Sequence, residues 1–371
     1  MKRVGILTIY YKNYNYGGQL QAYALAHYIN SVGAKCEQIT FNRTQGLSFL
    51  LKKNLAFWSW SADKKMIFLK NHISKFASKK KKSKTNRSTI EKFNLFMDAT
   101  PHSDVYTRET IAEANSKYEL FIAGSDQVWN VDYCTDEYFL SFVKGHTCVS
   151  YAASMNTLDI ESKQKLKICK WLDRFNAISV REQGAKSLLN ELLPEKKIQV
   201  VVDPVFLLSK SEWIDSATMP TGIDGDYIFV YLIQSEKHER SEECISLGRE
   251  LQKKVYCITS PGWESDLAEG ADILTDGVGP KEFLGMINGA SCVITDSFHA
   301  VAFSILLNKE FYVYGHDDRK DSLLSEFGLQ ERLVEDGGLE VSAMHPIDFE
   351  ATNVRIESYV ANSKRYIESW L

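Results

Sequence analysis

Cys292-Val293-Ile294-Thr295-Asp296-Ser297-Phe298-His299, continued by the apolar run from Ala300 to Leu307, decides how this chain folds. It reads as a short apolar strand, a polar turn and an apolar helix. A strand that turns directly into a helix is the unit of a parallel α/β sheet, and ligands bind beyond the carboxyl ends of such strands. The helix's unpaired N–H groups point into the same crevice and favour an anion. His299 stands at that helix start, with Asp296 and Ser297 beside it. A second turn of this kind, Asn13-Tyr14-Asn15-Tyr16-Gly17-Gly18, lies between a strand at 4–10 and a helix at 19–32. Two such turns, far apart in sequence, predict two sheets facing one cleft.

The same alternation runs along the whole chain. In the first half, strands are predicted at 36–41, 119–123, 147–152, 177–180 and 199–202, with helices at 88–97, 163–174 and 184–192. A stretch rich in Gly, Pro, Asp and Thr at 215–226 reads as a linker. Beyond it, strands are predicted at 227–233, 255–259, 292–295 and 311–314, and helices at 239–253, 280–289, 299–307, 322–327 and 354–371. The fold class is therefore α/β, with two Rossmann-like domains at 1–215 and 216–350. A final helix in 351–371 is expected to pack back on the first domain.

The bulk composition agrees with this division. A length of 371 residues exceeds one ordinary domain. With 44% hydrophobic and 25% charged residues, the chain reads as globular, without a run apolar enough to span a membrane. The N-terminal apolar run breaks at Tyr11-Lys12-Asn13 and reads as the first strand rather than a signal peptide. Seven cysteines are scattered, with no CxxC spacing, which points to a reducing, cytoplasmic setting and no thiolate metal site.

The net charge of −4 conceals a basic insertion at 47–92. Thirteen Lys and Arg there face only Asp63 and Glu91, a local balance of +11 that leaves −15 elsewhere. Trp58, Trp60 and Leu50 are interleaved with the lysines. That mixture fits either a solvated helical insertion or a surface helix on an anionic membrane. Nucleic acid is excluded as a partner by the acidic remainder and the lack of any binding module.

Several residues could carry chemistry. A histidine at a helix N-terminus tends to stay neutral until an anionic ligand favours its proton, so His299 is a candidate general acid. Asp296 and Asp126 are candidate bases, and the residues do not choose between them. Arg319 and Lys320 follow the strand at 311–314, and Arg181 ends the strand at 177–180. These cations, with Ser297, are candidate anion-binding groups at the cleft edge. Asn15, Gly17 and Gly18 in the first turn, and Ser125 in Gly124-Ser125-Asp126-Gln127, are candidates for sugar hydroxyls or phosphate. Gly17-Gly18 is no dinucleotide fingerprint, and Asp317-Asp318 has no partnering ligands, so neither a cofactor nor a metal is expected.

Six blocks occur in order: Asn15-Tyr16-Gly17-Gly18-Gln19-Leu20-Gln21-Ala22-Tyr23-Ala24-Leu25, Gly124-Ser125-Asp126-Gln127-Val128-Trp129-Asn130, Ser150-Tyr151-Ala152-Ala153-Ser154, Ser179-Val180-Arg181-Glu182, Asp203-Pro204 and Asp296-Ser297-Phe298-His299-Ala300. Together they resemble the polysaccharide pyruvyl transferase family over about residues 5–329. The resemblance implies a GT-B-like fold. It also implies transfer of the pyruvyl group of phosphoenolpyruvate onto two hydroxyls of a sugar or lipid-linked oligosaccharide, forming a cyclic ketal. By the same resemblance His299 matches the family's acid histidine and Arg181 its donor-binding arginine, and Arg319 falls where the family can carry lysine. A cytoplasmic enzyme acting on a membrane-anchored acceptor would give the basic insertion a purpose. The competing expectation is a GT-B glycosyltransferase with a nucleotide-sugar donor.

Overall fold

Strand order in two parallel sheets sets where a ligand can lie. The computed structural model describes residues 1–43, 87–132, 134–155, 158, 160–233, 237–258, 272–274, 276–334, 338–339 and 345–371. Nearly all of the basic insertion, and with it the choice between a solvated insertion and a membrane-surface helix, falls outside the described residues. In the early half β1 (Arg3–Leu7), β2 (Lys35–Gln38), β3 (Leu120–Ala123) and β4 (Thr147–Ser150) form a sheet of order β2-β1-β3-β4. The parallel pair β5 (Ile178–Val180) and β6 (Ile198–Val200) continues it through the isolated bridges Val149–Ala177 and Ala153–Val180. In the late half β7 (Tyr227–Tyr231), β8 (Lys254–Ile258), β9 (Asp272–Leu274), β10 (Cys292–Thr295), β11 (Glu310–Tyr314) and β12 (Leu333–Val334) run in the order β12-β11-β10-β7-β8-β9. Both orders reverse at an inner pair, β1/β3 early and β7/β10 late, and such switch points leave a crevice beyond the strand ends.

Helices cover the sheets, as short parallel strands require. They are α1 (Tyr16–Ser31), α2 (Arg87–Ala99), α3 (Ser162–Leu172), α4 (Gln183–Leu192), α5 (Lys210–Ser216), α6 (Lys237–Glu250), α7 (Pro280–Gly289), α8 (Phe298–Leu306), α9 (Asp318–Phe327) and α10 (Phe349–Glu368). β10 is buried along its whole length, and so is α8, whose sequence FHAVAFSIL is apolar nearly all round. α1 is also buried on most sides, because it lies against β2 in the early half and against α7 and α8 in the late half. Tyr16 marks that junction. Its ring stacks on Phe283 at 4.6 Å and its hydroxyl donates to the Val278 carbonyl at 2.9 Å. A stacked aromatic pair adds roughly 0.5–1.5 kcal/mol beyond the area it buries.

α10 returns from the late half to the early one. Tyr359 packs on Phe327 of α9, the Ser363 hydroxyl accepts the Val202 N–H at 3.0 Å, and Tyr366 donates to the Ser150 carbonyl at 2.9 Å. Several sequence expectations need adjustment. The second strand stops at Gln38, leaving Phe41 only an isolated bridge to Tyr106. The helix expected at 322–327 begins four residues sooner, because Asp317 accepts the N–H groups of Arg319 and Lys320 and caps it. The edge strands β9 and β12 were not foreseen.

Candidate functional site

A cavity of about 380 Å³ opens between the carboxyl ends of the two inner strand pairs. That size suits a small ligand. The late half supplies Asp296, Ser297, Phe298 and His299 from the β10–α8 turn and Arg319 from α9; the early half supplies Asn13, Asn15, Arg43 and Asp126. Ser297 occupies the N-cap of α8, and its side chain makes no cap bond. Asn15 does cap α1, accepting the Gly18 N–H at 2.9 Å.

His299 is held from the opposite half of the chain. Its Nε2 lies 3.5 Å from Oδ2 of Asp203, an ion-pair distance longer than a direct hydrogen bond. On the other side α1 closes in so tightly that a Cβ on Gly17 would sit 2.0 Å from His299 Nδ1. Glycine is therefore required at 17 by space rather than by backbone conformation.

Asp203 is the hub of the site. Its side chain is fully buried. Oδ2 accepts Arg181 Nη1 at 2.5 Å and Ser125 Oγ at 3.2 Å, and Oδ1 accepts the Val205 N–H at 3.1 Å. Burial opposes ionisation, yet His299, Arg181 and the Val205 amide together hold the carboxyl well below the usual carboxylate range. Arg181 is buried too. Its guanidinium lies 4.0 Å over the Phe298 ring, and Nη2 is 3.9 Å from Asp126 Oδ1. Burial disfavours its charge, but Asp203, Glu182 and Asp126 restore it.

This placement corrects the expected cleft-edge position of Arg181: it stands behind the cavity wall, because a guanidinium after an apolar strand finds Asp203 and an aromatic face inside. Arg181 and His299 do converge, on one carboxylate. Lys320 is likewise corrected from a loop cation facing the cleft. Its side chain is fully buried, and Nζ donates to the carbonyls of Asp296 at 3.2 Å and Tyr314 at 2.9 Å, pinning the β10–α8 turn. Ser125 is buried against Asp203 rather than offered to a ligand. Gly17 and Gly18 serve packing, against His299 and Asn13.

The remaining candidates face the cavity. Arg319 reaches Asp317 Oδ2 at 3.3 Å, while its buried Nε has no hydrogen-bond partner among the described residues. Asp126 has φ of 67°, a left-handed conformation that costs energy in a residue with a side chain. Its carbonyl accepts the Val128 and Ser154 N–H groups at 2.7 and 2.9 Å, which hold that conformation. Asp296 is nearly buried, and its Oδ1 accepts the Ile233 N–H at 2.7 Å just past β7. Two residues were missed. Asp203 stood in the sequence as a strand-end Asp-Pro and one of the six blocks, with no role assigned to it. Arg43 lines the cavity and was hidden at the edge of the basic insertion. A larger cavity of about 790 Å³ lies between β6 and α10, lined by Lys186, Lys197, Arg365 and Trp370; no residue of the β10–α8 turn reaches it.

Comparison with known proteins adds three findings. The family model for polysaccharide pyruvyl transferase matches residues 15–318. No curated protein matches the chain. Among solved structures, Anabaena HepE in complex with UDP-glucose is similar at 10% identity and a TM-score of 0.56, covering 100% of both chains. The UDP-GlcNAc 2-epimerase of Neisseria meningitidis bound to UDP-GlcNAc is similar at 11% identity and a TM-score of 0.55, covering 100% of this chain and 99% of the other. At such identities the likeness concerns the fold, which is the GT-B-like pair of Rossmann-type units expected from the sequence.

Proposed function

Because the chain belongs to the polysaccharide pyruvyl transferase family and is a transferase, we propose that it moves the pyruvyl group of phosphoenolpyruvate onto two hydroxyls of a sugar in a polysaccharide precursor. The observation that carries the reading is the convergence of His299, Arg319 and Arg43 on one cavity at the N-terminus of α8. Phosphoenolpyruvate places a carboxylate and a phosphate on three carbons. Two guanidinium groups and an uncapped helix end suit that charge.

The reaction needs a proton on the methylene carbon, which makes C2 electrophilic. His299 is the donor in this reading. One sugar hydroxyl adds to C2, phosphate leaves, and the second hydroxyl closes the ring. Of the two hydroxyl protons, one balances the proton now on carbon and the other departs with phosphate. Asp126 suits the base role better than Asp296. It keeps more exposure at the cavity, whereas Asp296 already accepts a backbone N–H. No resident cofactor is required.

Phosphate release from phosphoenolpyruvate, screened over glycosides and lipid-linked oligosaccharides, tests the proposal. His299→Ala should lower turnover by roughly 10²–10⁴-fold with donor binding retained. Turnover that survives the substitution removes His299 from the acid role. The cavity's neighbours in fold are bound to UDP-sugars, so thermal-shift titration with phosphoenolpyruvate against UDP-, GDP- and CMP-sugars separates the two donor classes. Stabilisation by a nucleotide-sugar alone would replace the present reading.

A further inference from the structure

We infer that Asp203 is a positioning residue for His299, holding one imidazole proton on Nε2 and so presenting to the substrate cavity Nδ1, the atom that takes up the second, transferable proton when the anionic donor binds. The inference rests on the reading of His299 as proton donor and deepens it.

Hydrogen-bond polarity places the proton. The hydrogen-bond partners of the Asp203 carboxylate are donors: Arg181 Nη1, Ser125 Oγ and the Val205 N–H. An ionised carboxylate only accepts. An imidazole nitrogen 3.5 Å from it must therefore carry its proton, since a bare lone pair there would be repelled. His299 Nε2 is buried and has no other partner among the described residues. The charges around the carboxylate keep it ionised. Arg181 is bound to the same oxygen and favours its charge, while the acidic Asp126 and Glu182 only share that guanidinium. With Nε2 turned inward, Nδ1 is the ring nitrogen left for the cavity that His299 lines. Gly17 packs beside that nitrogen, where any side chain would overlap it.

The carboxylate and the glycine come from the early half of the chain and the histidine from the late half. The orientation of the reacting ring is thus a property of the two halves together. Arg181 contributes indirectly, by holding Asp203 in place and ionised.

The test is the nitrogen-15 spectrum of the histidine-labelled full chain without substrate, with His299 assigned from the signals lost in His299→Gln. The neutral ring is expected as the Nε2–H tautomer with a bare Nδ1. Asp203→Asn removes the negative charge from the oxygen that Nε2 faces, and should weaken that tautomer preference. It should also lower kcat by roughly 10²-fold or more while KM for phosphoenolpyruvate stays within about threefold. An Nδ1–H tautomer in the unmodified chain overturns the inference, and that spectrum decides even if Asp203→Asn fails to fold. A variant that keeps both tautomer and kcat overturns it as well. An Nε2–H ring in a chain that releases no phosphate from phosphoenolpyruvate supports the orientation by Asp203 and defeats the proposed reaction instead.

Discussion

Gly17→Ala gives a test in which sterics and propensity predict opposite signs. On an ordinary helix the change is favourable, since alanine exceeds glycine by up to about 1 kcal/mol. Here the added Cβ would lie 2.0 Å from His299 Nδ1, about 1.4 Å short of ordinary van der Waals contact at 3.4 Å. Neither partner can yield easily. His299 Nε2 is backed by the fully buried Asp203, and α1 is wedged against α7 and α8. The ring must tilt away, and overpacking of this kind typically costs about 1–3 kcal/mol. A displacement of about 1 Å in a catalytic group is worth roughly 10²-fold in rate. The expected outcome is a lower thermal midpoint and a kcat for phosphate release reduced by about that factor. A variant with a raised midpoint and undiminished kcat would show that α1 does not press on the histidine and would refute the geometry of the site.

Three further outcomes follow from named contacts. Arg319→Ala removes the cavity cation with an unpartnered Nε; losing charge-assisted bonds of about 1.5–3 kcal/mol should weaken phosphoenolpyruvate binding by roughly 10–100-fold in calorimetric titration, and unchanged affinity would take Arg319 off the donor side. Arg181→Ala takes the closest cation from the buried Asp203 carboxylate and should cost up to about 3–5 kcal/mol, read as a fall in the urea midpoint; a stability within error of the unmodified chain would count against the buried pair. Glu182, where Ser154 donates to it, has its carboxyl pushed up by burial to about 7 from 4.5. A raised folded-state value means that stability is full below about 4.5 and falls as pH rises toward about 7, so Glu182→Gln should flatten that fall and be the more stable protein at pH 8; parallel pH curves would rule the effect out.

The fold was legible where the chain switches period sharply. Cys292–Thr295 is an apolar β-branched run followed at once by a polar turn and an apolar helix, and the structure reproduces that strand residue for residue. Edge strands β9 and β12 have three and two residues, too few for any alternation to show. The start of α9 was obscured because Asp317-Asp318-Arg319-Lys320 looks like a solvated loop, although Asp317 is the cap. At the site, His299, Asp126, Asp296 and Arg319 were readable as charged or polar groups at strand ends. Burial was not readable. Arg181 and Lys320 carry the same charge in sequence as surface cations, and only the partners Asp203, 22 positions onward, and the Asp296 and Tyr314 carbonyls draw them inside. Asp203 was assigned no role for the same reason, since that role depends on residues from three distant segments.

The clasp on His299 constrains how proteins of this architecture can be recombined. Chimeras that join an early half from one relative to a late half from another are a natural route to new acceptor preference. Such a hybrid could fold correctly in each half and still leave the imidazole without its neighbours. Residues 17 and 203 would have to travel with 299 as one inherited set, and a library that fixes those three positions should yield active hybrids where unrestricted exchange does not.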